Sequence, residues 1–228
     1  MTNNVKHATI RRRIEEVGII PSVRTTTAEG ARFAAETVAE AGIPVVEITM
    51  TVPHALEIIS ELRKRHHDNV IVGADSDWDL AGARRAVDAG AMFLTSPGLG
   101  TRSILKFVVR EDIVVIPGAL TPTEVSIGWR AGGDFIKVFP CAAMGGPRYI
   151  RSLQEPFPEI PLIASGGVNQ ANAADYLASG AVALGIGGEL IPKEAVAQRN
   201  ASWITELARR FLTIVKDTRA TGAQPEGQ

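Results

Sequence analysis

The sequence is poor in several residue types and patterns, and each shortage closes off a class of function. It holds one cysteine, Cys141, which excludes an internal disulfide framework and a cysteine-based zinc site. Its four histidines, His7, His54, His66 and His67, show no HExxH spacing, and no His/Cys/Asp cluster has the spacing of a metal site. No metal or other cofactor is expected. No apolar run reaches the roughly 18 residues of a membrane span. The opening MTNNVKHATIRRR carries charge but no apolar h-region, so it does not read as a secretory signal. Neither charge sign dominates, with 24 Lys+Arg against 25 Asp+Glu, and there is no basic stripe of the kind nucleic acid requires. These absences predict a soluble, cytoplasmic, metal-independent protein with neither a nucleic-acid nor a membrane partner.

What the chain does have is a regular beat. Its 228 residues are 45% hydrophobic, enough for one well-filled core. Short β-branched, apolar runs recur: IIPSVR (19–24), VVEITM (45–50), VIVGA (70–74), MFLTSPG (92–98), IVVIPG (113–118), FIKVF (135–139), PLIASGG (161–167) and VALGIGG (182–188). Their starts lie about 20–26 residues apart, the length of one strand plus one helix. Between them sit alanine-rich segments of helical period. In AEGARFAAETVAEAG, Ala31, Ala34, Ala35, Val38 and Ala39 share one face and Gly42 reads as the stop. HALEIISELRKRHH, DLAGARRAVDAG, TPTEVSIGWRAGG, PRYIRSLQE and NAADYLASG follow the same scheme.

Eight such units predict an α/β fold, a (β/α)8 TIM barrel, as a single domain over residues 1–220. A doubly wound open sheet fits the same alternation; the count of eight favours the barrel. HATIRRRIEEVG reads as a short extra helix before the first strand. In SWITELARRFLTIV, Trp203, Leu207, Phe211 and Val215 stand at helical spacing, which predicts a C-terminal helix with its aromatics in the core. The polar tail over 221–228 is expected to be disordered.

Functional side chains of a barrel stand at the C-terminal ends of its strands. The polar residues there are Arg24, Glu47, Thr49, Ser76, Ser96, Lys137 and Ser165. Two are out of place in apolar strands. Glu47 interrupts VVEITM and shares its facing with Val45 and Thr49; Lys137 interrupts FIKVF and shares its facing with Phe135 and Phe139. A charge buried on either strand face is costly unless paired or used. A purely structural Lys–Glu pair is one account, though such pairs stabilise weakly. The other is chemical: a desolvated amine favours its neutral form, which attacks a carbonyl, while the carboxylate moves protons. A second constellation is glycine-rich. SGGVN (165–169) follows the seventh strand and GIGGEL (185–190) the eighth, the two places where barrels commonly cradle phosphate with backbone N–H groups.

Together these residues resemble the 2-keto-3-deoxy-6-phosphogluconate aldolase family, which includes 4-hydroxy-2-oxoglutarate and 2-keto-3-deoxy-6-phosphogalactonate aldolases. The resemblance runs from about Ile14 to Pro192 and rests on VEITMTVP, SPG, PGALTPTE, FIKVFP followed by MGG, PFP, SGGVN and GIGGEL. It implies a homotrimeric class I aldolase acting on a 2-keto acid and releasing pyruvate without a metal. Lys137 would be the Schiff-base lysine and Glu47 the acid/base residue. Pro97 and Phe139 would line the pyruvyl pocket. Ser165, Gly166, Gly167, Gly187, Gly188 and the backbone of Glu189 would form the phosphate loop. Cys141, just past the lysine strand, reads as a small pocket-wall residue.

Three departures stand out against that resemblance. Thr51 occupies the place of an arginine that holds the substrate carboxylate in some members, and Arg24 stands where others carry one. Gly73-Ala74-Asp75-Ser76-Asp77-Trp78 replaces GAGTV, so a carboxylate sits where glycine is expected, while Ser76 keeps a hydroxyl. Ser165 replaces a threonine. Arg24, Thr49, Thr51, Asp75 and Ser76 are therefore expected around the substrate. The implied reaction is cleavage of a phosphorylated 2-keto-3-deoxy sugar acid to pyruvate and glyceraldehyde 3-phosphate. The rivals are cleavage of 4-hydroxy-2-oxoglutarate to pyruvate and glyoxylate, a phosphosugar isomerase or epimerase, and a sugar-phosphate-binding barrel with reduced activity.

Overall fold

The apolar runs become parallel strands in a computed structural model that describes residues 2–75, 79–100 and 102–222. They are β1 (Ile19–Val23), β2 (Val45–Thr49), β3 (Ile71–Asp75), β4 (Phe93–Thr95), β5 (Val114–Ile116), β6 (Gly118–Ala119), β7 (Ile136–Val138), β8 (Leu162–Ser165) and β9 (Ala181–Ile186). Nine segments stand for eight strands because Pro117, which has no N–H to donate, interrupts the fifth. Its first half, β5, pairs with β4 and its second, β6, pairs with β7. The sheet order β5-β4-β3-β2-β1-β9-β8-β7-β6 therefore begins and ends on one strand, and the barrel closes there. The carbonyl of Pro117 still accepts the Lys137 N–H at 2.9 Å.

Each strand is followed by a helix on the outside: α2 (Ala28–Glu40), α3 (Ala55–His66), α4 (Leu80–Asp88), α5 (Arg102–Arg110), α6 (Pro122–Arg130), α7 (Pro147–Gln154), α8 (Ala173–Ala178) and α9 (Lys193–Ala197). Helices α2, α4, α6 and α8 hand over to Gly42, Gly90, Gly132 and Gly180, whose φ angles of 97–103° end the helix. Helix α5 escaped the sequence reading. Its RSILKFVVR has no alanine and four β-branched or aromatic residues, yet Ile104, Leu105 and Val108 share a buried face.

Two terminal helices frame the barrel, and both correct the expectations drawn from sequence. Helix α1 (Thr2–Val17) starts earlier than the segment read as helical and acts as a plug. Its Ile10 and Ile14 join Ile20, Val45, Ile71, Phe93 and Phe135 in an inner apolar cluster at the N-terminal end of the lumen. The C-terminal helix α10 (Ala201–Gly222) packs on α2 and α8. Its buried stripe is Ile204, Ala208, Phe211 and Val215, so Trp203 falls off the stripe and is 40% exposed rather than core. Arg219 of α10 donates to the carbonyls of Glu15 and Glu16 at 2.6 Å, satisfying carbonyls at the end of α1 that lack helical partners. Of the tail expected to be disordered, residues 221 and 222 belong to α10; residues 223–228 lie outside the described residues. Among the described residues no helix is long and apolar enough to cross a membrane.

Candidate active site

Period-two alternation carries each strand's inward face from the plugged end to the open end. On β1 the inward sequence runs from Ile20 to Ser22; on β2 from Val45 to Glu47; on β4 from Phe93 to Thr95; on β7 from Phe135 to Lys137. Each of these four strands thus places a polar residue one step above an apolar one. Ser22, Glu47 and Lys137 of that polar layer line a cavity of about 400 Å³ at the C-terminal ends of the strands.

At its centre Lys137 and Glu47 meet across the lumen, Nζ 3.7 Å from Oε2, although three strands of the sheet separate β7 from β2. Both are buried, at 6% and 2% exposure. Neighbours hold the carboxylate still: Ser22 Oγ donates to Oε1 at 2.7 Å and Thr95 Oγ1 to Oε2 at 2.5 Å. Lys137 Nζ also lies 5.8 Å from the centre of the Phe139 ring, on the cavity wall. One oxygen of Glu47 thus faces both a hydroxyl donor and the amine, while the amine keeps an open side toward the cavity. Such an amine can add to a carbonyl, with a carboxylate in reach to take and return protons.

The mouth is built from loops. Arg24, just past β1, approaches Asp75 at the end of β3, Nη2 to Oδ2 3.7 Å. Gly187 and Gly188 follow β9, the neighbour of β1, and Gly166 and Gly167 follow β8, the next strand along. The two glycine pairs are glycine for different reasons. Gly166 and Gly167 have φ of 85° and 86°, and a Cβ on either would strike Pro140 or Ala142. Gly187 and Gly188 have neither constraint: nothing lies within 4 Å of a Cβ built on them. The space left open there lies on the cavity wall.

Of the residues proposed from sequence, Arg24, Glu47, Asp75, Lys137, Phe139, Ser165, Gly166, Gly167, Gly187, Gly188 and Glu189 line this cavity. Three expected positions among the described residues, Thr49, Thr51 and Pro97, are not among its walls. Thr51 is exposed on the turn after β2, and Thr49, at the last position of β2 beside Asp75 of β3, is buried. The backbone of Pro97 packs against Gly118 instead. Ser76 lies outside the described residues. Cys141 is also no wall residue. It is fully buried in the outer core, its Sγ 3.4 Å from the Gly166 carbonyl, and burial pushes its thiol pKa up, away from the reactive thiolate. Sequence reasoning missed Ser22, Thr95 and Lys193. The first two sit two residues beyond Ile20 and Phe93, so alternation carried a signal; Lys193 opens a helix, where strand periodicity says nothing.

Comparison with known proteins bears on this geometry. The family model described as KDPG and KHG aldolase matches residues 10–207. A 2-dehydro-3-deoxy-phosphogluconate aldolase of Treponema pallidum is 30% identical over 207 residues, covering 91% of this chain and 98% of that protein. The KHG/KDPG aldolase of Escherichia coli K12 is 33% identical over 192 residues, 84% of this chain and 89% of that one. Among solved structures, a KDPG aldolase from Legionella pneumophila superposes with a TM-score of 0.80 at 30% identity, covering 87% of this chain and 96% of its own. That structure holds pyruvate captured at low pH as a covalent carbinolamine intermediate.

Proposed function

Because the chain belongs to the KDPG and KHG aldolase family, we propose that it cleaves 2-keto-3-deoxy-6-phosphogluconate reversibly through a Schiff base on Lys137. It is a carbon–carbon lyase, an aldolase. The observation that carries the residue assignment is the buried Lys137 amine 3.7 Å from Glu47 on the floor of the cavity.

The steps follow from that pair. The neutral amine adds to the C2 carbonyl, giving a carbinolamine that loses water to form the imine. Glu47 supplies and removes the protons. With the imine as electron sink, a base takes the proton of the C4 hydroxyl, the C3–C4 bond breaks and its electron pair becomes the enamine. The aldehyde leaves, a proton returns to C3, and water releases pyruvate and the free amine. Arg24 holds the C1 carboxylate at the mouth. The bare backbone at Gly187 and Gly188, with Ser165, Gly166 and Gly167, receives the distal phosphate through N–H groups. The aldehyde product is then glyceraldehyde 3-phosphate.

A second reading is favoured by one residue. Glu189 follows Gly187 and Gly188 in the cavity lining, and a carboxylate near a phosphate there would repel it. An acceptor without phosphate, as in 4-hydroxy-2-oxoglutarate giving glyoxylate, meets less of that repulsion. A panel of the phosphogluconate-derived acid, its phosphogalactonate epimer and 4-hydroxy-2-oxoglutarate, assayed for pyruvate release by one preparation, separates the readings. The proposal expects the first to have the highest kcat/KM, and highest activity on 4-hydroxy-2-oxoglutarate would overturn it in favour of the second. The working form is a cytoplasmic homotrimer on this reading. Exposed Ile127 and Val109, each 50% exposed on α6 and α5, supply apolar surface for contact between copies.

A further inference from the structure

We infer that Lys193 is the residue that sets specificity for the anionic tail, phosphate or carboxylate, of the aldehyde half of the substrate. The inference rests on the aldolase reading above and deepens it. Three cationic side chains line the cavity, and two are engaged. Lys137 faces Glu47 at 3.7 Å and is consumed as the nucleophile. Arg24 faces Asp75 at 3.7 Å and is the residue given to the C1 carboxylate. Lys193 forms no ion pair among the described residues and lines the cavity beside Gly187, Gly188 and Glu189.

Its placement follows from the local fold. After β9 the chain turns at Gly187, whose carbonyl accepts the N–H groups of Leu190 and Ile191 at 3.0 and 2.9 Å. Leu190 and Ile191 are buried, at 0% and 5% exposure, and anchor the turn. Pro192 then caps α9, and Lys193 is its first residue. The root of the ammonium is thereby fixed to the glycine cradle, while its stem remains exposed and free to reach. Lys193 and Arg24 also line the adjoining cavity with Thr25, Thr26 and Thr27, so both stand at the mouth that an entering anion must pass.

The charge balance at that end makes the residue decisive. Glu189, next in sequence after Gly187 and Gly188, also lines the cavity and brings a formal negative charge to that loop. A tail bearing negative charge would meet repulsion there unless Lys193 answers it. An uncharged tail needs no such answer. Lys193 and Glu189 therefore act in opposite directions on one quantity, the preference for charged over uncharged tails.

The experiment measures kcat/KM for 2-keto-3-deoxy-6-phosphogluconate, the same acid without phosphate, and 4-hydroxy-2-oxoglutarate. Wild type is compared with Lys193→Gln, Lys193→Arg and Glu189→Gln. Lys193→Gln should lower the ratio of phosphorylated to unphosphorylated kcat/KM by about tenfold or more, chiefly through KM. Lys193→Arg should retain most of the ratio, and Glu189→Gln should move it the other way. The salt dependence of kcat/KM should flatten in Lys193→Gln. Which of the two charged tails loses more identifies phosphate or carboxylate as the group received. A wild type that turns over the phosphorylated acid while Lys193→Gln slows charged and uncharged tails by one factor overturns this inference alone. A wild type that releases pyruvate from none of the three overturns the aldolase reading and this inference with it.

Discussion

The lumen of the barrel is lined twice by the same strands, and its two layers have opposite chemistry. The lower layer is Ile20, Val45, Phe93 and Phe135, sealed by Ile10 and Ile14 of α1. The upper layer, two residues further along each strand, is Ser22, Glu47, Thr95 and Lys137. Backbone geometry and register are shared, so they cannot be the source of the difference. What differs is the lid: an apolar helix below, an open cavity above. The lower layer shows that these strands close around hydrocarbon alone. The upper layer is therefore retained for chemistry, since a buried ion pair is a poor stabiliser compared with packed apolar side chains.

The largest break of this comparison makes the upper layer resemble the lower. Replacing Lys137 with Met and Glu47 with Leu together should abolish turnover and leave thermal stability equal to or above wild type. Calorimetry beside a pyruvate-release assay checks both halves. A Tm lower by about 10 °C or more, several kcal/mol for a chain of this size, would show that the pair holds the barrel together. The converse change empties the lower layer. Ile14→Ala removes a fully buried side chain from the plug and should cost about 2–5 kcal/mol in denaturant unfolding while kcat of the folded protein stays near wild type. A large loss of kcat at full stability would mean that α1 shapes the catalytic end. The smallest change lies at the mouth. Asp75→Gly should release Arg24 for the substrate carboxylate and raise kcat/KM about three- to tenfold, a modest effect because Arg24 is largely exposed. A tenfold or greater fall across all substrates would make Asp75 a substrate ligand instead.

The same contrast explains what could be read from the sequence. A charge inside an apolar run has no local reason to be there, so Glu47 and Lys137 were visible, and alternation gave their facing correctly. The glycine pairs were visible because they follow the last two strands, the two places where barrels commonly cradle phosphate. The plug was not visible: Ile10 and Ile14 lie among arginines in a helix whose partner surface exists only once the barrel is closed. Ser22 and Thr95 look like ordinary strand residues until Glu47 arrives between them from a neighbouring or nearby strand. Thr51 and Pro97 were placed by resemblance alone, and the turn after β2 and the packing of Pro97 on Gly118 carry them off the cavity wall. Period-two reasoning locates residues on strands; it has no purchase on the loops that decide specificity.

The central claim is that Lys137 is the nucleophile, and a covalent trap tests it most directly. The protein is incubated with pyruvate, reduced with borohydride, digested and mapped by mass spectrometry, in wild type and in Glu47→Gln. An imine is reducible, so a reduced pyruvyl adduct should appear on Lys137. In Glu47→Gln the adduct should persist while kcat falls by about 10²–10⁴. An adduct on another lysine such as Lys106 or Lys193, or none at all in a preparation that turns over substrate, would contradict the account.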